Sequence, residues 1–275
     1  MGNKSRWRSV KKIDAHIHLF PDKMCKDYHG DDLWGHVGVD YYLPLMEKYN
    51  IEKAIVLPIN ARYDMGADDV NKWLGSVVSQ NPNKFIAFAD IQPEGAKFIN
   101  LSPYYLEKAV KEYGLKGLKI HPTNLQMDAD DLQFVPVLRK AAELKVPVLC
   151  HSYPSRWGFY DNCSPAKISR MIRIFPDVKF ITAHLGGMQY LDALAGCTYV
   201  DTSYVVPEFI KLFGVEQTNR ILRAFGVDRL IFGSDFPQAQ DYEMQFEALD
   251  QMDFTDEEIE KIAYKNILKL LNESK

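Results

Sequence analysis

The run Ile13-Asp14-Ala15-His16-Ile17-His18 sets two imidazoles two residues apart in a stretch that reads as a β-strand over 10–18. A strand's period of two puts Asp14, His16 and His18 on one face and Ile13, Ala15 and Ile17 on the other. Neutral imidazole nitrogen ligates zinc and similar divalent ions, so the pair supplies half of a tetrahedral or five-coordinate shell. The bland alternative is two histidines alternating by chance on a half-buried strand, and the downstream chain decides between the two. His121, His151, His184 and Asp235 each close an apolar run, so five of the seven histidines fall at predicted strand ends.

The elements that must position these residues alternate regularly. Apolar strand patterns occupy 53–58, 84–90, 117–121, 146–151, 178–184, 198–202 and 229–235 after the first. Between them, Asp40 opens a helix running to about Tyr49, and Val70, Trp73, Leu74, Val77 and Val78 form one helical face. Ser102-Pro103 and Ser164-Pro165 each read as an N-cap followed by proline at the first helical position. A further helix spans 131–144, and Thr255 with Glu258 makes a capping box for the last one. The sixth and seventh strands are joined by the shortest connection. Strand ends recur about every 30 residues, which leaves room for a helical crossover each time. The expected fold is α/β, a single (β/α)8 TIM-type barrel over 1–275, in which strand C-termini converge on one face.

Composition narrows the function. Hydrophobic residues are 47% and charged residues 25%, enough apolar material for one large core. A net charge of −4 provides no basic footprint for nucleic acid. Cysteines 25, 150, 163 and 197 form no Cys-x-x-Cys pair, as expected of reduced thiols in the cytoplasm. The polar opening Met1-Gly2-Asn3-Lys4 lacks a signal-peptide pattern, and no apolar run reaches the roughly 20 residues of a membrane span. No phosphate loop, dinucleotide fingerprint or nucleophile elbow implies an organic cofactor.

His16-x-His18, Cys150-His151-Ser152, Ala183-His184-Leu185-Gly186-Gly187 and Gly233-Ser234-Asp235-Phe236-Pro237 together resemble the amidohydrolase superfamily over essentially the whole chain. The branch it is most similar to contains hydrolases and metal-dependent decarboxylases, such as aminocarboxymuconate-semialdehyde decarboxylase and γ-resorcylate decarboxylase. The resemblance implies His16, His18, His151 and Asp235 as ligands of one divalent metal, zinc first, with manganese, iron or cobalt as alternatives. It implies His184 as the catalytic acid/base, while Asp235 can also accept a proton from bound water. The family habit of pairing through outer helices or inserted loops makes a homodimer an expectation.

The expected reaction is hydrolysis of an amide, ester or lactone bond of a small, carboxylated molecule by metal-bound hydroxide. The alternative is non-oxidative decarboxylation of a small unsaturated or aromatic acid, with His184 helping to protonate the carbon. A third reading is a barrel retained for binding without turnover. Lys119 and His121 share a strand face and are expected substrate contacts. Some superfamily branches instead use a carboxylated lysine at that strand to bridge two metals, with the strand-six histidine as a ligand. Arg62 and Arg156 follow strands two and five, where a guanidinium could clamp a carboxylate, and Tyr153 begins an aromatic stretch suited to a planar substrate.

Overall fold

The computed structural model describes residues 5–27, 35–91, 102–152, 161–187, 198–238 and 242–273. Among the described residues eight short parallel strands are present: β1 Lys12–Ile17, β2 Ile51–Val56, β3 Phe85–Ala87, β4 Leu118–Ile120, β5 Val148–Cys150, β6 Phe180–Thr182, β7 Tyr199–Asp201 and β8 Leu230–Ile231. They pair in sequence order as β1-β2-β3 and β4-β5-β6-β7-β8. Two seams join these sheets into a ring. Ala89 N donates to Gly117 O at 2.7 Å and Lys119 N to Ala89 O at 3.0 Å. Ala15 N donates to Phe232 O at 3.0 Å, Asp235 N to His16 O at 2.8 Å and His18 N to Phe236 O at 2.8 Å. Every ladder is parallel and each strand neighbours the next, which is the arrangement of a (β/α)8 barrel.

The apolar residues divide by strand face. Ile13, Ala15, Ile55, Leu57, Phe88, Leu149, Ile181, Ala183 and Ile231 form a buried cluster in the barrel interior. Their alternates, including Ala54, Val56, Leu118, Ile120, Val148, Cys150, Val200 and Leu230, belong to the larger core shared with the surrounding helices. Strands flanked by apolar material on both sides read as near-continuous hydrophobic runs, and these do.

The helices form where their caps and stripes predict. Ser164 accepts from Lys167 N to start the helix Pro165–Ile174, and Val70, Leu74 and Val77 are buried along Ala67–Gln80. The helix expected from Asp40 is Val39–Lys48, with Gly38 as its N-cap. In the 131–144 segment, Asp131 caps a 3₁₀ turn, Leu132–Phe134, that leads into the helix Val135–Leu144. Thr255 and Glu258 make the capping box. The final helical segment passes through a π turn, Lys261–Lys265, that frees Ile262 O to accept from Phe232 N at 2.9 Å, so it pins β8. The segment expected to connect strands six and seven by a helix falls largely outside the described residues.

One expectation about β1 is corrected. Asp14 pairs with Ala54 and Ile17 with Val56, so three steps on β1 oppose two on β2. This one-residue bulge breaks the alternation. Asp14 turns outward to the helices Val39–Lys48 and Tyr242–Asp250, where it meets Tyr42 and Tyr242. His16 turns inward, toward Lys119 and Asp201. The carboxylate and the two histidines therefore do not share one face.

The β3–β4 seam leaves no space at Gly117, where an added Cβ would stand 2.6 Å from the Phe88 ring. Gly117→Ala is expected to cost about 1–3 kcal/mol of unfolding free energy through overpacking. Chemical denaturation tests this, and an unchanged midpoint would show that Phe88 yields freely.

Candidate metal centre and active site

The site sits where the strand C-termini converge. His16 comes from β1, His18 follows it, and Asp235 lies just beyond β8. His16 Nε2 and His18 Nε2 each lie 3.3 Å from Asp235 Oδ1. Ligand atoms about 2.0–2.1 Å from a tetrahedral zinc ion stand about 3.3–3.4 Å from one another, so this spacing suits neighbouring ligands of one ion. The donor chemistry agrees. His18 Nδ1 lies 2.8 Å from Leu57 O, a pure acceptor, so the neutral ring carries its proton on Nδ1 and turns the Nε2 lone pair toward the carboxylate. Lone pairs facing a buried carboxylate oxygen across 3.3 Å call for a cation. Among the described residues, His16, His18 and Asp235 thus fit one divalent metal ion.

Electrostatics support this reading. Burial, followed by the Lys119 charge, pushes the His16 imidazole down to about 3, which leaves it neutral. Burial alone would raise Asp235, but the surrounding His16, His18 and His184 rings outweigh it and hold the carboxyl far below the usual range. Asp235 also adopts a left-handed backbone conformation, φ 63°, as does His184 at 55°. Such conformations cost non-glycine residues on the order of 1 kcal/mol and gather where a side chain must be aimed.

His184, on the turn after β6, is 2% exposed. Its Nδ1 lies 3.1 Å from Ser203 O and its Nε2 lies 3.1 Å from His151 Nδ1. His151 stacks on His121 with centroids 3.7 Å apart and an interplanar angle of 13°. Burial first, then neighbouring charges including Lys119, hold both of these half-buried rings well below the ordinary histidine range. His151 thus meets His184 and His121, outside the compact group formed by His16, His18 and Asp235. Lys119 is fully buried with Nζ 3.4 Å from His16 Nε2, and burial lowers its ammonium to about 8 against the pull of Asp201 and Asp235. Arg62 is exposed in the loop after β2, whereas Arg156 and Tyr153 lie outside the described residues.

Three supporting residues escape a reading of the sequence. Asp201 at the end of β7 places Oδ2 2.9 Å from His16 Nδ1. Ser203 Oγ lies 3.2 Å from His16 Nδ1 and 3.0 Å from His184 Nδ1. Asn60 Oδ1 accepts from His121 N at 2.6 Å, and the Asn60 amide also reaches Asp90. The only available signal was Asp201 itself, an acidic residue closing a barrel strand.

A comparison with protein-family profiles matches residues 13–272 to the family described as Amidohydrolase. The chain belongs to that family, and it is an enzyme of the metal-dependent kind the family comprises. No curated protein gives a significant match. Among solved structures, 2,6-dihydroxybenzoate decarboxylase from Rhizobium superposes with a TM-score of 0.75 at 16% identity, covering 95% of this chain and 98% of that one. A dihydroxybenzoic acid decarboxylase from Polaromonas sp. JS666, with bound manganese and 2-nitroresorcinol, gives 0.73 at 17% identity, covering 95% and 97%. The 5-carboxyvanillate decarboxylase from Sphingomonas paucimobilis gives 0.73 at 13% identity, covering 96% and 99%. At these identities the likeness establishes the barrel fold. Among the described residues no helix is long and apolar enough to cross a membrane.

Behind the site, Asp14 Oδ1 accepts from His16 N at 3.2 Å and Ser234 N at 2.9 Å, while Oδ2 accepts from Tyr242 at 2.8 Å and Tyr42 at 3.2 Å. Asp14→Ala leaves the buried His16 and Ser234 amides without their acceptor, and the expected loss is about 3 kcal/mol or more of stability, together with weaker metal uptake. Urea denaturation and metal titration of the variant measure the two effects. Wild-type values for both would remove Asp14 from the support of the site.

Proposed function

We propose that the protein is a metal-dependent decarboxylase of a small aromatic or unsaturated carboxylic acid. One divalent ion, zinc or manganese, would be held by His16, His18 and Asp235, with His151 as fourth ligand through the Nδ1 that faces His184. When bound, such an ion supplies Lewis-acid polarisation of substrate oxygen atoms. Manganese in structures of similar fold supports including it beside zinc.

The observation that carries the reading is His184 Nε2 beside the ligand set, on a ring whose other nitrogen is engaged by Ser203 O. Decarboxylation breaks the bond between the carboxyl carbon and its neighbour, leaves the electron pair on that neighbour, and requires one proton there. His184, its Nδ1 hydrogen held by Ser203 O, takes up a proton on Nε2 and passes it to that carbon. Asp235, held ionised, is a poor source of the same proton. Lys119 and His121, buried and half-buried at the β4 end, would contact the substrate carboxylate together with Arg62 and Arg156, the last of which lies outside the described residues. The decarboxylase names of full-length structural neighbours favour this reaction over the amide, ester or lactone hydrolysis expected first from sequence.

Elemental mass spectrometry of protein purified without chelator should find about one equivalent of zinc or manganese per chain. Metal-loaded protein incubated with hydroxybenzoic and unsaturated acids in D₂O should release CO₂ and place one deuterium on the carbon that loses it. Hydrolysis of amides, esters or lactones with no CO₂ from any acid would sink the proposal.

His184→Asn should retain the metal and lose about 10²- to 10⁴-fold in CO₂ release. Loss of a metal equivalent in that variant would instead make His184 a ligand.

A further inference from the structure

We infer that Asp201, with Ser203, is a positioning unit that fixes the ring tautomers of His16 and His184 together and so couples the metal ligand to the proton donor. The inference rests on the reading of His16 as a ligand. It follows from hydrogen-bond accounting in a cluster of buried groups.

Asp201 is fully buried and accepts on both oxygens. Two backbone amides, which can only donate, converge on one of its oxygens, so the carboxylate is the acceptor there. Oδ1 receives His184 N at 2.9 Å and Ser203 N at 3.2 Å, together with the Ser203 hydroxyl. The Ser203 proton is thereby committed to Asp201, and its Oγ offers only lone pairs to the two imidazoles.

His16 Nδ1 then faces Asp201 Oδ2 at 2.9 Å and Ser203 Oγ at 3.2 Å, acceptors both, so Nδ1 must carry the hydrogen. His184 Nδ1 faces Ser203 O at 3.1 Å and Ser203 Oγ at 3.0 Å, and the same conclusion holds. With its hydrogen on Nδ1, each ring turns Nε2 to the site, His16 toward Asp235 and His184 toward His151. The bond from His184 N to Asp201 also anchors the left-handed backbone that aims this ring. One carboxylate on β7 thus sets a ligand from β1 and an acid/base from β6.

An amide cannot replace it. The nitrogen of Asp201→Asn, placed against His16, would donate to Nδ1, move the ring proton to Nε2 and block the ligand lone pair. Partners of this kind are worth about 10- to 100-fold in metal affinity.

The test reads metal and tautomer apart from catalysis. Histidine ring ¹⁵N NMR of metal-free wild-type protein, assigned by single substitutions, should show Nδ1–H on His16 and on His184. Competition against a chelator should show Asp201→Asn binding Mn²⁺ or Zn²⁺ about 10- to 100-fold more weakly than wild type, with His16 shifted to the Nε2–H form. An Nε2–H tautomer on either ring in wild type overturns the inference, as does wild-type affinity in Asp201→Asn. If that variant does not fold, the wild-type tautomers still decide. Absence of metal binding by wild type would defeat the metal-centre reading, while the NMR result would judge the tautomer assignment separately.

Discussion

The buried carboxylate of Asp14 is the contact on which the site depends. It joins the backbone of β1 to the chain just after β8 and ties both to tyrosines on two outer helices. Burial raises it to about 6, opposed by its hydrogen bonds, so the fold retains a costly group and surrounds it with donors. The spacing between His16 and Asp235 is set across this seam. Tyr242 and Gln245 extend the network through Ser234, whose hydroxyl and carbonyl they engage at 3.0 and 2.7 Å. Gly233 completes the fit, since a Cβ there would stand 2.9 Å from His16 Cβ.

Much of this architecture is legible in the residues themselves. The eight apolar runs, the Ser164 cap and the Thr255–Glu258 box depend on neighbours in sequence, and they form as their patterns indicate. The histidines at strand ends are legible too, because barrel topology alone gathers such positions. The orientation of Asp14 is not. A single extra residue in β1 reverses its face, and bulges arise from pairing with β2, which no local pattern contains. Asp201 and Ser203 were hidden for a related reason, since their significance lies in contacts to residues 185 and 19 positions away.

The mouth also shows how imidazoles are kept uncharged near neutrality. Burial does most of it, and the Lys119 ammonium adds to the effect at His16, His121 and His151. Lone pairs are thereby held ready at the cost of burying a lysine, an expense offset by Asp201 and Asp235 nearby. Amide hydrolysis and decarboxylation can both use such a mouth. What separates them is where the proton goes, and in the proposed reaction that depends on the geometry of His184 more than on the proposed ligand set.

The closure of β1 onto the chain beyond β8 has a consequence for biosynthesis. His16 and Asp235 stand 3.3 Å apart in space but at opposite ends of the barrel sequence, and the backbone bond from Asp235 N to His16 O links the same two places. A nascent chain emerging from the ribosome carries the His16-x-His18 pair long before the carboxylate that completes the proposed ligand set is translated. With that ligand set, metal acquisition would be a late event, available to a chain whose barrel has closed. Tight occupancy of the centre would report that folding has finished.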